Sequence, residues 1–210
     1  MSLATRHPHW RSVSLAAGVF TLIAVVPPTT AQAEVSTFER FEVNSVAIYR
    51  DVTFLCPDGT TATLGFRVSA GHETEKEDGV VTEDSDFLSV FVSGIDCGDV
   101  FVSDTGVGTG TFAYSPSLQS ASTSGTVITR RGRVPIDVNV SWTSTSTMQI
   151  NTNVNSFPGR VSTFVGMRRD AVGTGTVVFG GRQFVNGSTV GPDAWIETFD
   201  DKSISTPAGG

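Results

Sequence analysis

Thr61-Ala62-Thr63-Leu64-Gly65-Phe66-Arg67-Val68-Ser69-Ala70 is a strand written in period two. Ala62, Leu64, Phe66, Val68 and Ala70 fall on one face, and Thr61, Thr63, Arg67 and Ser69 on the other. Successive strand side chains point to opposite faces, so this pattern describes a half-buried β-strand. The residues before it read Asp51-Val52-Thr53-Phe54-Leu55-Cys56, with Val52, Phe54 and Cys56 sharing one face. Between the two runs lies Pro57-Asp58-Gly59-Thr60. Proline presets φ and glycine accepts φ > 0, so this tetrapeptide predicts a chain reversal. Further on, Phe87-Leu88-Ser89-Val90-Phe91-Val92 is apolar on both faces, which predicts a strand buried on both sides. Gly94-Ile95-Asp96-Cys97-Gly98 ends it.

Cys56 and Cys97 are the only cysteines in the chain. A bridge between them closes a loop of about 40 residues, for which loop-closure entropy gives roughly 4 kcal/mol. Two buried free thiols are the alternative. The start of the chain favours the bridge. Arg6 and Arg11 form a positive segment, Val13 to Val26 an apolar core, Pro27-Pro28 a helix stop, and Ala31-Gln32-Ala33 a small-residue cleavage site. Residues 1–33 therefore read as a secretory signal peptide cut before Glu34. The apolar run is shorter than the roughly 20 residues that span a bilayer. No cysteine follows it and no arginine pair precedes it, so neither a lipid anchor nor the twin-arginine route is expected. Export leads to an oxidising compartment, where disulfides persist.

Removing Arg6 and Arg11 moves the formal charge from −7 to −9. So acidic a chain is a poor partner for nucleic acid or anionic lipid. No second apolar run is long enough to span a bilayer, so the mature protein is not expected to be membrane-embedded. Residues 34–210 are long enough for a single well-cored domain.

From Glu34 onward no window shows helical periodicity, and short alternating runs recur between Gly, Ser and Thr. The strongest is Val134 to Trp142, with Val134, Ile136, Val138, Val140 and Trp142 on one face. Pro135 lacks a ladder donor and belongs at an edge or at a strand's start. Thr126 to Thr129 and the turn Arg130-Arg131-Gly132-Arg133 make this run half of a hairpin. Later strands are expected over Val161–Met167, Gly175–Phe179 and Ala194–Ile204, with turns at Gly180-Gly181 and Asn186-Gly187. The fold expected is all-β: a two-sheet antiparallel β-sandwich of about nine to eleven strands with one disulfide. Val107 to Tyr114 also echoes Val172 to Phe179, both reading Val-Gly-Thr-Gly-Thr before an apolar run. No lysine or helix follows either copy, so neither is a phosphate loop.

Val138-Asn139-Val140-Ser141-Trp142, Ala171-Val172-Gly173-Thr174-Gly175-Thr176-Val177 and Pro192-Asp193-Ala194-Trp195-Ile196-Glu197 together resemble uncharacterised secreted all-β proteins of bacteria. The resemblance covers about the last 80 residues and brings no functional residue with it.

Catalytic parts are scarce. His7 and His9 leave with the signal, so His72 is the one histidine for a Ser-His-Asp site, and it reads as a solvated loop residue. A histidine-based zinc site needs more ligands than this. No catalytic residue is recognisable, and the chain reads more as a structural or interaction protein outside the cell than as an enzyme. A carbohydrate-binding module is an alternative, with Trp195, Tyr49 and Tyr114 on faces that the pattern leaves open and Trp142 in the core. A glycoside hydrolase needs two facing carboxylates; acids are plentiful, but the sequence does not say which ones face each other. The last alternative is calcium. His72 to Asp86 holds seven carboxylates and is expected to be an exposed loop at one end of the sandwich. Ca²⁺ takes about six to eight oxygen ligands, and Asp78, Glu83, Asp84 and Asp86 are the candidates, although their spacing is not that of an EF-hand.

Overall fold

The computed structural model describes residues 35–189 and 193–206; the expected signal peptide lies outside them. The described residues form eleven strands and no helix. They are β1 Ser36–Leu55, β2 Thr61–Glu77, β3 Val80–Asp96, β4 Val100–Gly108, β5 Gly110–Tyr114, β6 Ser120–Thr129, β7 Pro135–Ser144, β8 Gln149–Phe157, β9 Arg160–Phe179, β10 Arg182–Thr189 and β11 Ala194–Ser205. The all-β reading and the antiparallel pairing hold throughout.

The division into two sheets does not hold: all eleven strands belong to one hydrogen-bonded sheet. Following the pairs from β1 through β2, β3, β4, β6, β7, β9 and β11 leads back to β1. That is a closed ring of eight strands. The closing seam runs from Ser36↔Ser205 to Ala47↔Ala194. Alternation along a strand is the same in a sandwich and in a ring. Only the pairing of the first strand with the last tells them apart.

Eight strands enclose a space just wide enough for side chains to fill, and here they fill it. Leu64, Phe66, Val68, Leu88, Val90, Ile136, Val140 and Trp142 are all buried in the interior. Trp142 Nε1 donates a 2.8 Å hydrogen bond across it to the Val46 carbonyl. The expected core face of the Val134–Trp142 run is therefore the interior face, and Pro135 is the first residue of its strand. Leu88, Val90 and Val92 are buried, but Phe91 is 40% exposed on the opposite face. The expectation of burial on both sides fails there, because one face of β3 lies outside the ring.

Two glycines let neighbouring strands approach closely. Gly94 (φ 140°) and Gly175 (φ 145°) lie within β3 and β9. A Cβ on them would sit 2.2 Å from the Thr63 carbonyl oxygen and 2.0 Å from that of Asn139. Such glycines mark kinks where strands bend round a barrel. The two echoing segments fall on β4–β5 and on β9, which flank the β6–β7 hairpin on either side. The separate strands expected at 161–167 and 175–179 are one 20-residue strand. Asn186-Gly187 lies inside β10, where the register shifts, and is not a hairpin turn.

Cys56 and Cys97 form the expected disulfide, with Cα atoms 5.6 Å apart. It ties the β1–β2 turn to the β3–β4 turn at one end of the ring. At the other end β1, β2, β3, β9 and β11 run on beyond the closed part and, with β8, form an open six-stranded extension in the order β8-β9-β11-β1-β2-β3.

Candidate functional site

The segment expected to be a loop from His72 to Asp86 is the tip of the β2–β3 hairpin, paired from His72↔Asp86 to Glu77↔Val80 with one register shift, between Glu75↔Glu83 and Lys76↔Val81. Its only turn is Asp78-Gly79, both with positive φ. The ladder continues this far because β1 pairs with the same part of β2, from Phe38↔Glu77 to Val43↔His72, which the sequence pattern of β2 alone does not reveal.

Pairing separates the four calcium candidates. Asp78 Oδ1 accepts the Thr37 N–H at 2.6 Å. Glu83 accepts the Ser85 hydroxyl on one face of β3. Asp84 and Asp86 lie on the other face, which continues the ring interior, and both reach His72. Among the described residues no group of three or more His, Cys, Asp or Glu side chains is arranged to hold a metal ion.

His72 is not a solvated loop residue. It lies in β2, half-buried, with Nδ1 2.8 Å from Asp86 and Nε2 3.1 Å from both Asp84 and Thr74. Asp86 Oδ2 also accepts the Phe112 N–H of β5 at 3.0 Å, so one carboxylate joins β3, β2 and β5. Ser45 Oγ is fully buried nearby without a partner. It is not the nucleophile of a triad, because both imidazole nitrogens already face Asp84, Thr74 and Asp86.

The side chains that sequence reasoning left unassigned gather on the outer face. Trp195 of β11 has the Arg168 guanidinium 4.5 Å and the Arg67 guanidinium 5.8 Å from its ring centroid. Cations over an indole face are attracted by the ring quadrupole. Alternation places Ala194, Ile196 and Thr198 in the core, which turns Trp195, Glu197 and Phe199 outward. Phe199 stacks on Phe164 of β9, centroids 5.8 Å apart. Trp195 Nε1 and Asn44 Oδ1 are buried with no hydrogen-bond partner.

Two grooves flank Trp195. One, of about 290 Å³, has Gly166 in its lining, with Phe164 and Phe199 at one side and Gln149, Asn151, Arg168 and Glu197 around it. The other, of about 550 Å³, runs over Gly65 between Ile48, Arg67, Phe91 and Ser93. Gly65 and Gly166 leave the sheet bare where a side chain would fill each groove. Together these residues make a diagonal strip across β3, β2, β1, β11, β9 and β8. Six strands about 4.8 Å apart give it a width on the order of 24 Å.

Carboxylates line the same face. Glu42 of β1 pairs in register with Glu73 of β2 and Phe199 of β11. Burial raises its pKa above the ordinary value of 4.5; Arg40 opposes the rise, and the Glu73 and Glu197 charges add to it. Arg40 lies 3.1 Å from Glu42 and 2.5 Å from Glu73. The signal for this face was in the alternation of residues 194–199, but which strands it would lie beside was not.

Comparison with protein-family models, curated proteins and solved structures finds no match to this chain. Among the described residues no helix is long and apolar enough to cross a membrane.

Proposed function

We propose that this is a secreted protein that binds an extended glycan across the outer face of its sheet. The observation that carries the reading is the strip itself: two grooves with glycines in their linings, each with aromatic and hydrogen-bonding side chains, on either side of Trp195. Sugar rings present apolar C–H faces and equatorial hydroxyls. Aromatic rings take the first, and Gln149, Asn151, Arg67, Arg168 and Glu197 supply partners for the second. The filled interior directs a ligand to the outside. The disulfide suits an oxidising compartment and supports export through residues 1–33.

The experiment is a thermal-shift screen against soluble oligosaccharides and pull-down on insoluble polysaccharides. A bound glycan raises the melting midpoint by mass action. Phe199→Ala and Phe91→Ala should each weaken binding about tenfold or more, since a lost aromatic contact costs on the order of 1–2 kcal/mol. If no glycan shifts the midpoint or is retained, or if both variants bind like the parent, the reading is wrong.

One observation favours a second reading, glycan hydrolysis. Glu42, whose pKa burial raises, pairs in register with Glu73, which sets two carboxylates side by side on this face. Release of reducing ends that disappears in Glu42→Gln would support it, and absence of release from every bound glycan would remove it.

A further inference from the structure

The open extension has two edges, and they are not alike. At one edge the first part of β3 carries Glu83, Asp84 and Asp86. Charged side chains on an edge keep other strands away. At the other edge lies β8, which pairs with β9 alone among the described residues. Residues 149–157 contain no charge, no proline and no glycine, and all nine are exposed. Ile150 (65%), Val154 (61%) and Phe157 (65%) are among the most exposed apolar side chains of the protein. A long, uncharged, uncovered edge is a template for another strand.

We propose that β8 is where a second copy of this chain docks, strand to strand, about a two-fold axis through Asn153. The sequence favours this partner. Asparagines occupy 151, 153 and 155, so an antiparallel self-pairing centred on Asn153 sets Asn151 opposite Asn155 and Asn153 opposite itself. Side-chain amides carry both donors and acceptors and can bond to their own kind across such a seam. On the opposite face, Thr152 meets Val154 and Ile150 meets Ser156. Every pair keeps a like face toward a like face, as an isologous contact requires.

Charge points the same way. The chain is acidic, at −7 overall, so two copies repel across most of their surfaces. The β8 seam brings no charged side chain opposite another. A pair of nine-residue strands is about 30 Å long, and the contact buries on the order of 1,000 Å² in total, the low end for a specific interface. The dimer is therefore weak, and it extends the sheet and its outer face across both copies. The inference does not depend on the glycan reading.

Sedimentation velocity tests it from about 1 μM to about 1 mM, the range in which so small a contact changes its occupancy. The protein should pass from monomer to twice that mass. Asn153→Lys and Asn153→Asp each place like charges face to face on the axis and should stay monomeric at concentrations where the parent is dimeric. Their equimolar mixture should regain the doubled mass, because Lys then meets Asp. Asn153 is exposed, so both variants should melt at the parent's dilute-solution midpoint. Monomer mass throughout the range, dimers of either single variant, or a mixture that stays monomeric would each overturn the proposal.

Discussion

Trp142→Phe isolates the hydrogen bond that crosses the ring interior. Trp142 is fully buried, and its Nε1–H donates to the Val46 carbonyl at 2.8 Å. Phenylalanine keeps the six-membered ring but removes the donor and the pyrrole atoms. A lost hydrogen bond of this kind costs about 1 kcal/mol net. The missing atoms leave roughly 40 Å³ unfilled, about 1 kcal/mol at 24 cal/mol per Å³, and their lost transfer energy adds about 1 kcal/mol more. The sum is about 3 kcal/mol. At 2–4 °C per kcal/mol for a domain of this size, the melting midpoint should fall by roughly 6–12 °C. Urea unfolding followed by far-ultraviolet circular dichroism, with the disulfide intact in both proteins, reads the difference directly. Fluorescence is unsuitable because the substitution removes a fluorophore. Trp195→Phe, on the half-buried outer face, should cost less. A loss below about 1 kcal/mol for Trp142→Phe, or a larger loss for Trp195→Phe, would mean that the indole does not tie the two sides of the ring together.

Reducing Cys56–Cys97 should lower stability by about 4 kcal/mol, since it releases a loop with a sequence separation of 41 residues; an unchanged urea midpoint after reduction would show that the strand ladders alone restrain that loop. Gly175→Ala should destabilise by about 3 kcal/mol or more, because its Cβ would lie 2.0 Å from the Asn139 carbonyl oxygen at a φ of 145°. Gly59→Ala, with φ 83° and open space around it, should cost only about 1–2 kcal/mol, and equal losses in the two would contradict the close approach of β7 and β9. Glu42→Gln should raise stability at neutral pH. The raised pKa of Glu42 means that the folded state holds the proton more readily than the unfolded chain, so the cost of ionising it appears as pH rises through and above 4.5. The advantage of the variant should vanish at pH values below 4.5, and an advantage that persists there would assign it to something other than the charge.

What the sequence determined by itself is local. Alternation at Ala62–Ala70 and Val134–Trp142 fixes which side chains enter a core, because a strand's two faces are set by backbone geometry alone. With two cysteines in the whole chain, Cys56–Cys97 is the one disulfide it can form within itself. Proline and glycine at 57–60 and 180–181 mark the reversals for the same local reason. The tertiary structure decided everything that depends on register between distant strands. Whether the strands stack as two sheets or close into a ring rests on Ser36 meeting Ser205, a pairing that no nearby residue signals. The acids at 73–86 read as a loop because their charge hides the pairing that continues through them, and His72 acquires Asp84 and Asp86 only once β2 and β3 are in register. Along the chain Phe164, Arg168 and Phe199 carry no signal, and Trp195 sits on a face that the alternation leaves open. They become one surface because β9 and β11 pair from Trp195↔Asp170 onward, and hydrogen-bonded neighbours in a sheet are chosen by the energy of the whole closed ladder.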